Sequence, residues 1–268
     1  MMEKDFTYTE LGGTGIKVFR MGLSATYRPG KAAIYKAIDA GVNYFFLYNF
    51  DFQMINTLRD VLKVERDRYV VSTGGYNFVW WHSNLRKVLE KRLRTLRVDY
   101  IDVFMFLGVM KEAHIGDDVK EELTRFKEEG KVRSIGISTH NRKLAGRLAD
   151  EGVLDLLMVR YNAAHRGAEE EIFPRISKNN TAIVSYTATR WRRLLRRPRG
   201  WPANGRIPRA TDCYRFVLSN PNVDLCLTAP SNYRQIEENL SSIELGPLPP
   251  EDLEFMRQFG DVVHRKSR

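Results

Sequence analysis

Short apolar runs recur along this chain, each followed by a longer stretch with the helical period. The runs are Asn43 to Leu47, Tyr69 to Ser72, Ile101 to Phe106, Val132 to Ile137, Leu154 to Val159, Thr181 to Ser185 and Val223 to Leu227, with Met21 to Leu23 as a weaker first member. Their length and composition suit strands buried on both faces. Between them the apolar positions gather on one side of a helix, as over Lys31 to Ala40, Ser83 to Leu96, Val119 to Glu129, Lys143 to Asp150 and Asn232 to Ile243. Strands that alternate with helices need crossover connections and therefore a parallel sheet. Eight such units in 268 residues predict an α/β fold whose sheet closes on itself, a (β/α)8 barrel occupying residues 1–268 as one domain. The alternative is an open doubly wound sheet. It wants a G-x-G-x-x-G turn after its first strand, whereas Gly12-Gly13-Thr14-Gly15 precedes the alternation and lacks that spacing. Two additions frame the barrel: a hairpin over Phe6 to Val18, and a closing helix over Pro250 to Val263 with Leu253, Met256 and Phe259 on one face.

Composition changes this picture little. The chain is 43% hydrophobic and 28% charged, as globular domains are. The net charge of +10 is concentrated: Arg190 to Arg209 contains eight arginines and no acid. A solvated surface loop and an anion-binding loop are both compatible with that. Cys213 and Cys226 are too few for a disulfide framework and lack zinc spacing, so they read as free thiols. Met1 to Asp5 is charged with no apolar run behind it, and no stretch has the length of a membrane helix. The expectation is a cytoplasmic protein with no membrane partner.

In such a barrel, function sits where the strands end. Tyr48 and Asp51 follow the second strand, His140 and Arg142 the fifth, His165 and Arg166 the sixth. Two histidines and two arginines on adjacent loops could bind a small anionic substrate and move a proton; the other reading is loop residues that bond to backbone carbonyls. Asp51 could serve as an acid or base in a dry pocket, or be a solvated loop residue. Tyr48 could donate a proton, or simply line the pocket. The histidines have no placed carboxylate beside them, so no metal is predicted.

Several segments resemble the aldo-keto reductase superfamily. Leu11-Gly12-Gly13-Thr14-Gly15-Ile16-Lys17-Val18 resembles its opening hairpin, Ala40-Gly41-Val42-Asn43-Tyr44-Phe45 its second strand, and Asp99-Tyr100-Ile101-Asp102-Val103 its fourth. Gly130-Lys131-Val132-Arg133-Ser134-Ile135-Gly136-Ile137-Ser138 is similar to the fifth strand, and Gln235-Ile236-Glu237-Glu238-Asn239-Leu240 resembles the start of the last barrel helix. The matches run in family order over nearly the whole chain.

The resemblance implies NADP(H) and carbonyl reduction by a tyrosine proton donor, a lysine that lowers its pKa, an aspartate paired with the lysine, and an orienting histidine. The matching positions hold other residues: Phe46 for the aspartate, Asp51 for the tyrosine, Gly74 for the lysine and Leu107 for the histidine. The family's ordinary reaction is therefore not expected. The chain reads either as an atypical oxidoreductase or as a non-catalytic, nucleotide- or partner-binding pseudoenzyme. The cofactor positions are better kept. The resemblance assigns Glu238 and Asn239 to the adenine, Tyr186 to stacking on the nicotinamide, and Ser138 to its carboxamide. Thr139 and Met158 replace the asparagine and glutamine that would assist there, and Ser231 replaces a basic residue at the 2′-phosphate. Arg234, or Arg190 and the loop it opens, could compensate. Trp191 and Trp201 within that loop would also suit single-stranded nucleic acid, but a loop folded over dinucleotide phosphates is the preferred reading.

Overall fold

The computed structural model describes residues 5–24, 26–47, 51–76 and 85–265. The apolar runs become β3 (Met21–Ser24), β4 (Tyr44–Leu47), β5 (Val70–Tyr76), β6 (Ile101–Leu107), β7 (Val132–Thr139), β8 (Leu156–Arg160), β9 (Ala182–Tyr186) and β10 (Leu225–Thr228). They pair in parallel in chain order, and β10 bonds to both β9 and β3, which closes the barrel. Closure excludes the open doubly wound alternative. Helices α1 (Lys31–Asp39), α2 (Phe52–Val64), α3 (Leu85–Leu96), α4 (Asp117–Glu128), α5 (Arg142–Glu151), α6 (Ala168–Glu171), α7 (Phe173–Ile176), α8 (Ala210–Leu218) and α9 (Tyr233–Glu244) follow the barrel strands, and α10 (Pro250–Arg265) ends the chain. None of the described helices is long and apolar enough to cross a membrane.

The two-residue period of each strand sorts its side chains into two cores. On β6, Phe104 and Phe106 pack outward beneath the helices, while Val103, Met105 and Leu107 fill the interior. On β8, Leu157 and Val159 face out, and Leu156 and Met158 face in. The hairpin of β1 (Tyr8–Glu10) and β2 (Lys17–Phe19) adds Leu11, Ile16 and Val18 to the interior cluster, so it plugs the amino end of the barrel.

Carboxylates and one amide pin the strands at that end. Asn43 accepts the Phe19 N–H, Asp102 the Val71 N–H, Asp155 the Ile135 N–H and Asp224 the Ile183 N–H, each at 2.8 Å. Each of these residues stands at the start of β4, β6, β8 or β10 and bonds to the segment just before it in the sheet. The Asp102 carboxylate also accepts from Arg66 at 2.8 Å and from Arg133 at 3.1 Å.

At the opposite end, α10 lies against the loop after β8. Its Gly260 has no room for a side chain: a Cβ there would stand 2.1 Å from the Ala163 carbonyl oxygen. This close approach, with buried Met256, Phe259 and Val263, brings the last turn of α10 beside the barrel mouth.

Candidate functional site

The inward period of β8, Leu156 then Met158, brings Arg160 to the mouth as the last residue of the strand. The same period on β9, Ala182 then Val184, brings Tyr186 there, and Arg160 and Tyr186 are register partners. From β7 comes Ser138, whose hydroxyl oxygen accepts the Gly108 N–H at 2.9 Å and keeps its own proton to donate. Just beyond β7, His140 meets Tyr186: the phenol oxygen lies 3.1 Å from Nδ1 and 3.3 Å from Nε2. Among the described residues the Arg160 guanidinium makes no hydrogen bond and has no ion-pair partner, although it is half-buried.

That unpaired cation sets the electrostatics of the mouth. Partial burial, and then the Arg160 charge, lower the pKa of His140, so its imidazole is neutral at pH 7. Burial raises the pKa of Tyr186 while Arg160 opposes the shift; the phenol keeps its proton. The pair is therefore a neutral phenol beside a neutral imidazole, able to share a proton but holding none in excess.

His165 stands on the other flank. Its Nδ1 is 3.2 Å from the Asn162 side-chain oxygen, and its ring meets His264 edge-on at 5.3 Å. Asn162 is fully buried and also donates to the Thr187 carbonyl, which ties the loop after β8 to the loop after β9. Burial, then Arg160, Arg190, His264 and Arg142, push His165 down to about 3. Between that value and the unfolded 6.5 the unfolded chain binds the extra proton, so this contribution to stability is complete above pH 6.5 and is lost as pH falls toward 3. Chemical denaturation at pH 7 and pH 5 checks this: His165→Asn is expected to shrink the stability difference between the two, and an undiminished difference would refute it.

The other sequence-stated candidates are distributed as follows. Tyr48 lies outside the described residues. Asp51 is buried and is the N-cap of α2, accepting from the Gln53 and Met54 N–H groups at 3.0 and 3.3 Å. Arg142 and Arg166, expected beside the histidines, are committed elsewhere. Arg142 pairs with Glu171 at 2.6 Å, and Arg166 with Asp261 at 2.7 Å and with the Ala163 and Arg257 carbonyls. Arg190 is buried and donates to the Val263 carbonyl at 2.7 Å, fastening its loop to the end of α10. In the same loop Trp201 donates to the Arg206 carbonyl and packs against Phe255 and Phe259, while Trp191 is exposed. On α9, Arg234 and Glu238 are exposed, and their side chains have no partner among the described residues. Asn239 is buried and donates to the Thr228 hydroxyl at 2.8 Å. Phe46 and Leu107 are buried within the barrel interior. Gly74 faces the Met105 carbonyl so closely that a Cβ would stand 2.0 Å from its oxygen.

Sequence reasoning missed Arg160. The apolar run was read as ending at Val159, and one more step of the inward period, 156, 158, 160, reaches it.

A closed barrel of eight parallel strands with helices between them is a TIM barrel. Residues 28–196 match the aldo/keto reductase family, and the chain belongs to that family, whose members use nicotinamide cofactors. The NADH-specific methylglyoxal reductase of Escherichia coli is 23% identical over 221 residues, covering 66% of this chain and 65% of that protein. The uncharacterized oxidoreductase YqkF of Bacillus subtilis is 19% identical, covering 88% of this chain and 89% of its own length. Among solved structures, the holo form of aldo-keto reductase AKR11C1 from Bacillus halodurans superposes with a TM-score of 0.81 at 19% identity, over 94% of this chain and 96% of that one.

Proposed function

We propose that this protein is an atypical NADP(H)-binding oxidoreductase that handles the proton of a small-molecule substrate through His140, not through the tyrosine and lysine of the family mechanism. The observation that carries the reading is the His140–Tyr186 hydrogen bond at the barrel mouth. The residues fit a dinucleotide at both ends. On α9, Arg234 offers a guanidinium for a 2′-phosphate and Glu238 a carboxylate for the adenine amine, and Asn239 stands beside them. At the mouth, Tyr186 offers a ring face and Ser138 a hydroxyl for the carboxamide. The bound dinucleotide supplies or accepts the hydride.

The protonation state of His140 selects the direction. A neutral imidazole is a base, so at pH 7 it takes the proton of an alcohol as that alcohol is oxidised, and Tyr186 orients the ring. Below the lowered pKa of His140 it is charged and can instead donate to a carbonyl oxygen. Alcohol oxidation is thus expected to rise with pH through a midpoint below 6.5, with reduction showing the reverse.

Fluorescence titration with NADPH, followed by hydride transfer between labelled cofactor and a panel of aldehydes, ketones and alcohols, tests this. His140→Ala is expected to lower turnover about a hundredfold with NADPH affinity retained, a larger loss than Tyr48→Phe causes. No binding at millimolar cofactor would sink the dinucleotide reading. Binding without hydride transfer would select the second reading, a nucleotide-binding pseudoenzyme, which the apolar packing of Phe46 and Leu107 and the closed space at Gly74 favour.

A further inference from the structure

An arginine held half-buried without a counter-charge is costly. Its charge is partly desolvated, and its planar fork of donors is left unused. Three neighbouring guanidiniums have partners: Arg142 has Glu171, Arg166 has Asp261, and Arg190 has the Val263 carbonyl. Arg160 alone among the four makes no hydrogen bond with a described residue, and it faces inward next to Tyr186 and above Met158. The field of Arg160 is felt across the mouth, at His140, His165 and Tyr186, since no described residue pairs with it.

A second observation concerns the rim. Nine large apolar side chains are exposed among the described residues, and six of them stand at or beyond the carboxyl ends of the barrel strands: Tyr27, Tyr76, Met110, Trp191, Tyr233 and Phe52 at the start of α2. They stand at or after the ends of β3, β4, β5, β6, β9 and β10, six of the eight barrel strands. Exposed apolar side chains concentrated at the carboxyl end of such a barrel mark a binding face.

We infer that Arg160 anchors the carboxylate of a small apolar acid, whose hydrocarbon body lies against the aromatic rim and whose far end reaches His140. This deepens the proposed function, since it rests on the mouth being the substrate pocket, and it names the substrate class. One guanidinium offering two parallel N–H groups matches one planar carboxylate. A phosphate monoester carries nearly twice the charge, and the neighbouring Arg142, Arg166 and Arg190 are already committed to Glu171, Asp261 and the Val263 carbonyl.

Calorimetric titration of the whole protein with 3-phenylpropanoate and with its primary amide, each with and without NADPH, tests the assignment. Apolar shape is the same in the two probes, so their difference reads the charge contact alone. The carboxylate is expected to bind about tenfold or more tightly than the amide. Arg160→Met is expected to erase the preference, and Arg160→Lys to keep part of it. Equal affinity for the two probes, failure of both to bind, or a preference that survives in Arg160→Met would overturn the inference. So would inorganic phosphate displacing the carboxylate at equal concentration. If Arg160→Met does not fold, the contrast between acid and amide in the unaltered protein still decides. Because binding is read without turnover, a chain that binds the acid but not NADPH separates this inference from the dinucleotide reading.

Discussion

Gly74→Lys is expected to destabilise the barrel by at least about 3 kcal/mol and to leave no measurable gain in carbonyl reduction. This is the position that the family resemblance gives to the lysine that lowers the tyrosine's pKa. Restoring a lysine there would be the obvious route to restoring the reaction. The backbone forbids it. Gly74 is register partner to Met105 across β5 and β6, and a Cβ on Gly74 would stand 2.0 Å from the Met105 oxygen and 3.0 Å from Leu107 Cγ. The first obstacle is main chain inside a closed barrel, so it moves only if the ladder moves. Even Gly74→Ala carries most of this cost. The adjacent Gly75 provides the control: a Cβ there meets side chains alone, the tip of Leu85 at 3.0 Å and Val88 at 3.6 Å, and the Leu85 tip can rotate, so Gly75→Ala is expected to cost about 1 kcal/mol. Urea unfolding of the three variants measures this. Equal midpoints for Gly74→Ala and Gly75→Ala would show that the two strands part more easily than the register implies.

The barrel was legible because its signal is repeated. Each apolar run is too short to be a buried helix, each is followed by a helical period, and closure follows from their number. The strand ends were less legible. The expected Tyr69 to Ser72 run continues as a strand to Tyr76, since Gly74 and Gly75 interrupt the apolar pattern without interrupting the ladder. The same kind of error hid Arg160, which lies on the strand although it is not apolar.

Side-chain commitments were the least legible part. Arg142 and Arg166 follow their strands as the sequence places them, but their partners come from α6 and α10, and Glu171 and Asp261 are not near them in sequence. Asp51 carried a local signal that was available from the outset. An aspartate directly before an amphipathic helical segment is a strong N-cap candidate, and that is the bonding its side chain makes. Sequence patterns thus located the carboxyl-terminal face of the barrel. Which charges remain unspent on that face depended on long-range pairing.

Asp102→Ala is expected to cost about 3–5 kcal/mol, far more than a change at a surface ion pair. The residue lies in the segment Asp99 to Val103, which resembles the family's fourth strand, and the structure supplies the physical reason for an acid there. Asp102 is fully buried and holds three donors: the Val71 N–H at the start of β5, Arg66 and Arg133. Truncation leaves the N–H of a central strand without its acceptor. It also leaves Arg66, which is mostly buried under the Tyr100 ring at 3.9 Å, without its counter-charge. Arg133 is the counterexample within the same cluster. Its guanidinium is largely solvated, so Arg133→Ala is expected to cost about 1 kcal/mol or less although it touches the same carboxylate. Denaturant unfolding of the two variants separates the contributions, and similar small losses for both would mean that the Asp102 carboxylate contributes little to holding β5 and β6 together. A large loss for Asp102→Ala alone would assign the acid to strand pairing at the closed end of the barrel. It would follow that family resemblance in this segment reports how the barrel is held together, and that it carries no information about the reaction at the other end.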